Sequence, residues 1–364
     1  MRFRRSPHLV TFWRDGGLQV QNYATGAHAA ITPLVVDVLN QFDDWRRVAA
    51  ATAGRPPAEA AAFARVVRAL ASRSFLEQST HPTPEGARAV DVWRDWNPAA
   101  GFFHFSTKDV VYEKSSIVAE RRQRAYARRH PAPRATKSYR RAPQIRLPDA
   151  KADGELPRVL LERRTWRHFS TRPIDLSAFA TLLRLTYGVQ RWGTARGQGP
   201  VAFKTSPSGG ARHPIEAYVL ALSVDGLPRG LYHYDAARHA LERLTAGATR
   251  RQLVRYCGDQ PWYRPAAAIV IMTAMFERER WRYPTPRAYR ALLLDAGHLC
   301  QTFCLVATWL GLAPFSTMAL ADSRIERDLG IDGASETVMY VAGVGSRPAG
   351  GWNVARQRAA LRQS

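Results

Sequence analysis

Two short runs hold most of the residues that could do chemistry. Glu162-Arg163-Arg164-Thr165-Trp166-Arg167-His168-Phe169 sets three arginines and a hydroxyl within five positions. Guanidinium forks grip phosphate oxygens bidentately, and a cation beside an electron-rich ring stabilises its reduced, anionic form. The same cluster also suits a plain surface patch. The second run, Pro207-Ser208-Gly209-Gly210-Ala211-Arg212-His213-Pro214, stands directly before an apolar stretch that starts at Ile215. Paired glycines let backbone approach a ligand closely, and their bared N–H groups can bind oxygens. An ordinary turn likes Ser-Gly-Gly as well. The apolar stretch follows the glycines instead of preceding them, which excludes a Walker or Rossmann loop. A third run, Trp281-Arg282-Tyr283, puts a phenol beside a fixed cation, which favours phenolate and also describes an aromatic–cation surface cluster. Asp295 and His298, three apart on one helical face, could pair. A structural hydrogen bond is the simpler role for them. Cys300 and Cys304 with His298 fit no zinc spacing, so no metal is expected.

These runs need elements to hold them. The chain from about Leu156 alternates helices and strands. Ala178–Tyr187 predicts a helix, Ile215–Ser223 and Ala267–Met275 buried strands, and Thr337–Val344 a last strand. Leu231–Tyr234 and Ala240–Leu244, around Asp235-Ala236-Ala237-Arg238, predict a hairpin. Tyr289–Leu312 is apolar nearly all round and predicts a long buried helix ending at Gly311, of the kind found at dimer interfaces. Helices around a mixed or antiparallel sheet make an α+β domain. Ahead of it, Leu9–Trp13 and Leu18–Tyr23 around Asp15-Gly16-Gly17 give a hairpin signal. Helices are expected over Ile31–Phe42, opened by Thr32-Pro33, and over Pro57–Ser72. This front resembles a small winged-helix-like or peptide-clasping module. The expected division is 1–105 for that module, 106–150 for a basic Pro/Arg-rich linker, and 151–364 for the catalytic domain.

Composition bounds the partners. A formal net charge of +23 attracts polyanions without choosing among nucleic acid, anionic lipid, acidic peptide or phosphorylated cofactor. Between Arg121 and Arg146 lie ten Lys or Arg and no acidic residue, broken by Pro131, Pro133 and Pro143. Proline interrupts helix and like charges repel, so an exposed arm is expected there, either a solvated connector or a landing strip for an acidic partner. No uninterrupted apolar run approaches the roughly 18 residues of a membrane span. Three cysteines make a disulfide framework improbable, which points to a reducing, cytoplasmic setting.

The order Glu-Arg-Arg-Thr-x-Arg-x-Phe (162–169), then Pro-Ser-Gly-Gly-Ala-x-x-Pro-x-Glu-x-Tyr (207–218), is similar to SagB-type dehydrogenases of the nitroreductase superfamily. So are Leu231-Tyr232-His233-Tyr234-Asp235 with His239-x-Leu241, and Asp295-Ala296-Gly297-His298 in the long helix. Trp93-x-x-Trp96 and Phe103-His104-Phe105-x-Thr107-Lys108-Asp109 resemble the segment before that family's catalytic domain. The resemblance implies a nitroreductase-like domain that binds FMN, works as a homodimer, and oxidises thiazolines or oxazolines in ribosomally made peptides to azoles. It implies that Arg163, Arg164, Thr165 and Arg167 hold the FMN phosphate and ring. Pro207, Ser208, Gly209, Gly210 and Ala211 would form the loop beside the flavin, often reaching from the other subunit. Pro314, Phe315, Ser316 and Thr317 would lie along the ring, with Gly345 and Arg347 closing over the phosphate.

One departure stands out. The family's azoline oxidases carry a Lys-Tyr pair where this chain has Arg282-Tyr283. Arginine cannot act as a base near neutral pH, so the catalytic proton transfer implied for the pair falls to Tyr283. The partners implied are a peptide substrate with an acidic leader and a cyclodehydratase. Two other readings stay open: an NAD(P)H-dependent nitro- or quinone reductase on the same fold, and a nucleic-acid-binding protein using its charge and its front module.

Overall fold

A computed structural model describes residues 1–80, 93, 95–113, 115–137, 143, 145–148, 152–195 and 199–362. Its centre is a six-stranded, wholly antiparallel sheet in the order β10-β9-β8-β11-β13-β12. The strands are β8 (Ile215–Ala221), β9 (Gly230–Asp235), β10 (Ala240–Ala246), β11 (Ala268–Met275), β12 (Leu312–Thr317) and β13 (Glu336–Ser346). Seven of the eight β11 residues are buried. Both faces of that strand are covered, so its sequence runs apolar without alternating.

One face carries α7 (Leu176–Tyr187) and α10 (Tyr289–Trp309), whose Phe179, Leu182, Leu292, Leu299 and Phe303 pack on the sheet. The other carries α8 (Arg250–Tyr256) and α11 (Asp322–Leu329), through Leu253, Tyr256 and Ile325. Removing one such Phe or Leu side chain typically costs about 2–5 kcal/mol, so this sheet and its helices form a rigid platform. With its 3-10 lead-in from Pro286, α10 is long and apolar enough to cross a membrane by length and composition, a stronger apolar signal than the sequence alone suggested. Half of it is buried in this core. The α+β expectation holds, with the sheet antiparallel throughout.

The front of the chain builds a separate small core. Its antiparallel sheet β2-β3-β4 joins β2 (Leu9–Arg14), β3 (Gly17–Asn22) and β4 (His28–Ile31), while β1 (Phe3–Arg5) pairs with β5 (Leu76–Gln78). Helices α1 (Pro33–Asn40), α2 (Val48–Ala51) and α3 (Pro57–Ser72) close it around Val20, Phe42, Val67 and Phe75. The expected hairpin and both expected helices are present.

The expected break at 105 falls beside a packed segment, and part of the expected linker is helical. Trp93, Trp96 and Ala100 of α4 (Ala99–Ser106) belong to the core cluster of the catalytic sheet. The Trp93 indole donates to the Ala334 carbonyl (2.8 Å) and the Trp96 indole to the Tyr283 carbonyl (3.0 Å). Lys108 meets Glu326 at 2.6 Å, with both side chains largely buried. The segment from 93 to 109 therefore packs on the catalytic sheet through its two indoles, while Phe102 and Phe105 meet Tyr23 of the front module. The basic stretch begins as a helix, α5 (Ser116–Arg129), with Ser115 accepting the Val118 N–H at its start. The prolines that argued against helix begin only at 131. Residues 114, 138–142, 144 and 149–150 of the expected linker, with Arg140 and Arg141, lie outside the described residues.

Candidate functional site

Helix α6 (Glu155–Glu162) ends where the arginine run begins, so the run leaves the helix as extended chain. The Trp166 N–H donates to the Pro314 carbonyl (2.9 Å) and that of Ser170 to Ser346 (2.9 Å), fixing the run against β12 and β13. Trp166 and Phe169 point into the core, while Arg163, Thr165 and Arg167 stay half-exposed. Among the described residues the guanidinium groups of Arg163 and Arg167 have no hydrogen-bonded partner, a donor set suited to phosphate. Arg164 is exposed and donates to the Leu161 and Arg163 carbonyls (2.6 and 2.8 Å).

Several of the residues that the resemblance assigns to the flavin also have structural contacts of their own. Pro314 to Thr317 form strand β12, because β13 offers them a complete ladder. Phe315 therefore turns into the core and stacks on Tyr263 (4.0 Å between ring centroids), so its ring is unavailable to a ligand. Arg347 donates to the Leu312 and Thr308 carbonyls (2.9 Å each), capping the C-terminus of α10, where orphan carbonyls attract a cation. Gly345 fits because a side chain there would press on Phe169.

The glycine run lies near the other end of α10. Asp295 and Thr308 are separated by about 20 Å along the helix, at 1.5 Å per residue. The Ser208 hydroxyl donates to Asp295 (2.6 Å) and accepts the His213 N–H (2.9 Å). Asp295 thus pairs with Ser208, not with His298, which faces solvent. Gly209–Ala211 make a 3-10 turn. Gly210 sits at φ 56°, and a side chain on it would come within 2.9 Å of the Tyr283 hydroxyl. A side chain on Gly209 would come within 2.7 Å of a Glu279 carboxylate oxygen. The second glycine of the pair is thus required by backbone conformation, and both are required by close packing.

Glu279 went unnoticed in the sequence. It is fully buried, and neither carboxylate oxygen has a hydrogen-bond partner among the described residues. Burial and then the nearby Asp295 push its carboxyl up to about 7, against the pull of Arg212. Asp295 is also raised by burial, partly offset by its bond from Ser208. Arg282 and Tyr283 stand beside this loop, with the Arg282 guanidinium 5.9 Å from the Tyr283 ring centroid.

A cleft of about 740 Å³ opens next to the loop, between the hairpin β6 (Arg191–Ala195)–β7 (Gly199–Phe203) and the start of β8. Ala211, Arg212 and Trp281 form one wall; Lys204, Glu216 and His233 also line it. Glu216 pairs with Arg278 (2.5 Å) and His233 (3.1 Å), and His233 also meets Glu242 (2.9 Å). Those bonds, Glu216 first, lift His233 to about 9 despite burial. Burial, with Lys204 close by, lowers His213 to about 4. Glu216 and His233 stood inside the quoted motifs, but their meeting depends on β8–β9 register, which no spacing reveals.

Residues 160–346 match the model of the nitroreductase family. A Methanocaldococcus jannaschii protein named as a nitroreductase is 33% identical over 188 residues, covering 52% of this chain and 90% of that one. The trifolitoxin-processing protein TfxB of Rhizobium leguminosarum bv. trifolii is 32% identical, covering 46% of each chain. The microcin B17-processing protein McbC of Escherichia coli is 30% identical, covering 35% of this chain and 48% of its own. The chain thus spans about half the length of those two processing proteins. Among solved structures, a chain of the E. coli microcin synthetase McbBCD complex with truncated pro-MccB17 bound shares the fold, at TM-score 0.50 and 19% identity, over 74% of this chain and all of that one. The arginine run, the glycine loop and the sheet between them all fall inside the matched span: this chain belongs to the nitroreductase family.

Proposed function

We propose that this protein is an FMN-dependent dehydrogenase of the SagB type that oxidises thiazoline or oxazoline rings in a ribosomally made peptide to azoles. The observation that carries this is the pair of half-sites at opposite ends of α10: uncommitted arginines at one end, and a tightly packed glycine loop with a cleft at the other. Family members bind FMN, and the free guanidinium donors of Arg163 and Arg167, with the Thr165 hydroxyl, fit its phosphate. Bound there, FMN supplies a two-electron acceptor for hydride.

We read the working unit as a homodimer in which α10 of each copy packs on the other and the glycine loop of one chain completes the site of its partner. Leu293, Leu294 and Trp309 are exposed on α10 at 40%, 61% and 43%, apolar surface that a second copy would cover. Arg282 and Tyr283, packed on the glycine loop, fix the edge of the site where the ring reacts. The front module acts as a winged-helix-like clasp which, with the basic α5, holds an acidic leader. A cyclodehydratase supplies the azoline, and the setting is cytoplasmic. The names of the two processing proteins support the peptide substrate.

The test is the flavin spectrum of the purified protein, followed by anaerobic mixing with an azoline peptide and, separately, with NADPH. Bleaching by the peptide with formation of the azole is expected. Bleaching by NADPH alone would move the assignment to a nitro- or quinone reductase, the reading that the Methanocaldococcus relative's name favours.

A further inference from the structure

This chain meets its need for cations with 48 arginines and only five lysines, and Lys204 is the one lysine beyond residue 151. Where a position needs only positive charge, arginine is the rule here. Lysine offers what arginine cannot: an amine that can give up its proton near neutral pH.

Lys204 lies where such an amine would matter. It lines the cleft together with Arg212 of the glycine run and Trp281 of the Trp281-Arg282-Tyr283 run. It also borders the small hollow that holds Ser208 and Asp295. Among the described residues its Nζ has no hydrogen bond or ion pair. The charged and titratable groups around it are Glu216 from β8, His233 and Asp235 from β9, Glu277 and Arg278 from α9 (Phe276–Arg280), Arg212 and His213 from the loop and Asp295 from α10. Glu216, the nearest counter-charge, is already committed to Arg278 and His233. Burial holds the Lys204 ammonium below the ordinary lysine range, with Arg278 adding to that and Glu216 opposing it. The Tyr283 hydroxyl, by contrast, is packed on Gly210.

We propose that Lys204 is the proton acceptor for a substrate ring bound in this cleft, an inference that rests on the azoline reading above. The neutral Nζ takes one ring hydrogen as a proton and becomes an ammonium. The electron pair of that C–H bond becomes the new ring double bond, while the second hydrogen leaves with its own pair, as hydride, to the flavin. The ammonium returns its proton to solvent through the open cleft.

The test uses the flavin-loaded full chain. Lys204→Arg keeps the charge but cannot accept a proton, so azoline-driven flavin bleaching should slow by on the order of a hundredfold or more. Peptide affinity, read from Trp192 and Trp281 fluorescence, should hardly move. The rise of rate with pH expected of the wild type should vanish, and Lys204→Met should behave alike. Without substrate, reductive ¹³C-methylation and NMR should show one amine, absent from Lys204→Arg, titrating well below the other lysines. A Lys204 signal that titrates with the exposed lysines overturns the proposal. So does Lys204→Arg bleaching at the wild-type rate, which would leave the azoline reading intact. A wild type inert to every azoline peptide but bleached by NADPH removes that reading and the base role together.

Discussion

The two ends of α10 hold their functional residues by opposite means. At the C-terminal end, Arg347 is spent on helix carbonyls and Trp166 on the core, which leaves Arg163 and Arg167 half-exposed and uncommitted. At the other end the loop itself is held tightly. Asp295 holds Ser208, and Glu279 and Tyr283 sit where side chains on Gly209 and Gly210 would be. A site that binds a charged ligand keeps its donors free until the ligand arrives. A site that must hold a reacting ring fixes its geometry in advance, since a displacement of about 1 Å can cost a hundredfold in rate.

The largest effect should come from the uncommitted end. Arg163→Ala with Arg167→Ala removes charged hydrogen bonds worth about 1.5–3 kcal/mol each, so FMN affinity should fall by more than about a hundredfold, with the fold intact by circular dichroism. Fluorescence titration with FMN measures it; an unchanged Kd would place the phosphate elsewhere. At the packed end, Asp295→Ala strands the Ser208 hydroxyl and should lower stability by about 1–3 kcal/mol, read from urea midpoints. FMN binding should suffer less than in the arginine double variant, and the reverse order would erase the contrast between the ends.

Gly210→Ala imposes a side chain at positive φ against the Tyr283 hydroxyl. It should cost about 1–3 kcal/mol, with turnover falling more than flavin content. Equal losses in both would show that the loop serves binding only. The smallest effect is a pH slope. The Glu279 carboxyl titrates near 7 folded, against 4.5 as its ordinary value. The folded state therefore binds the proton more tightly, and this group's contribution is full below about 4.5 and is lost as pH rises through about 7. Glu279→Gln should flatten that part of the stability–pH curve between pH 5 and 8. A slope identical to wild type would mean the carboxyl titrates normally.

The central strands, the hairpins and the long helix were legible in the sequence because apolar period and turn residues are local signals. The strand β12 was not: Pro314 heads an ordinary-looking loop, and only the open edge of β13 makes it a strand. Trp93 and Trp96 were visible as a motif, but the sheet they would cover was not. The arginine and glycine runs were legible as chemistry from residue type alone. Which guanidinium groups remain free depends on where α10 ends, a fact of packing.

By itself the sequence determined the residue types on which the chemistry depends: arginines for phosphate, paired glycines for close approach, an arginine where a base cannot be, and one lysine in an arginine-rich catalytic half. It also determined the helices and strands, since propensity and periodicity act over a few residues. Only the tertiary structure decided that Asp295 bonds Ser208, that Glu279 is buried without a partner, and that Lys204, Glu216 and His233 share a cleft. Those contacts join residues 17 to 87 positions apart. Burial and strand register, which set their charge and geometry, exist only once the sheet has closed.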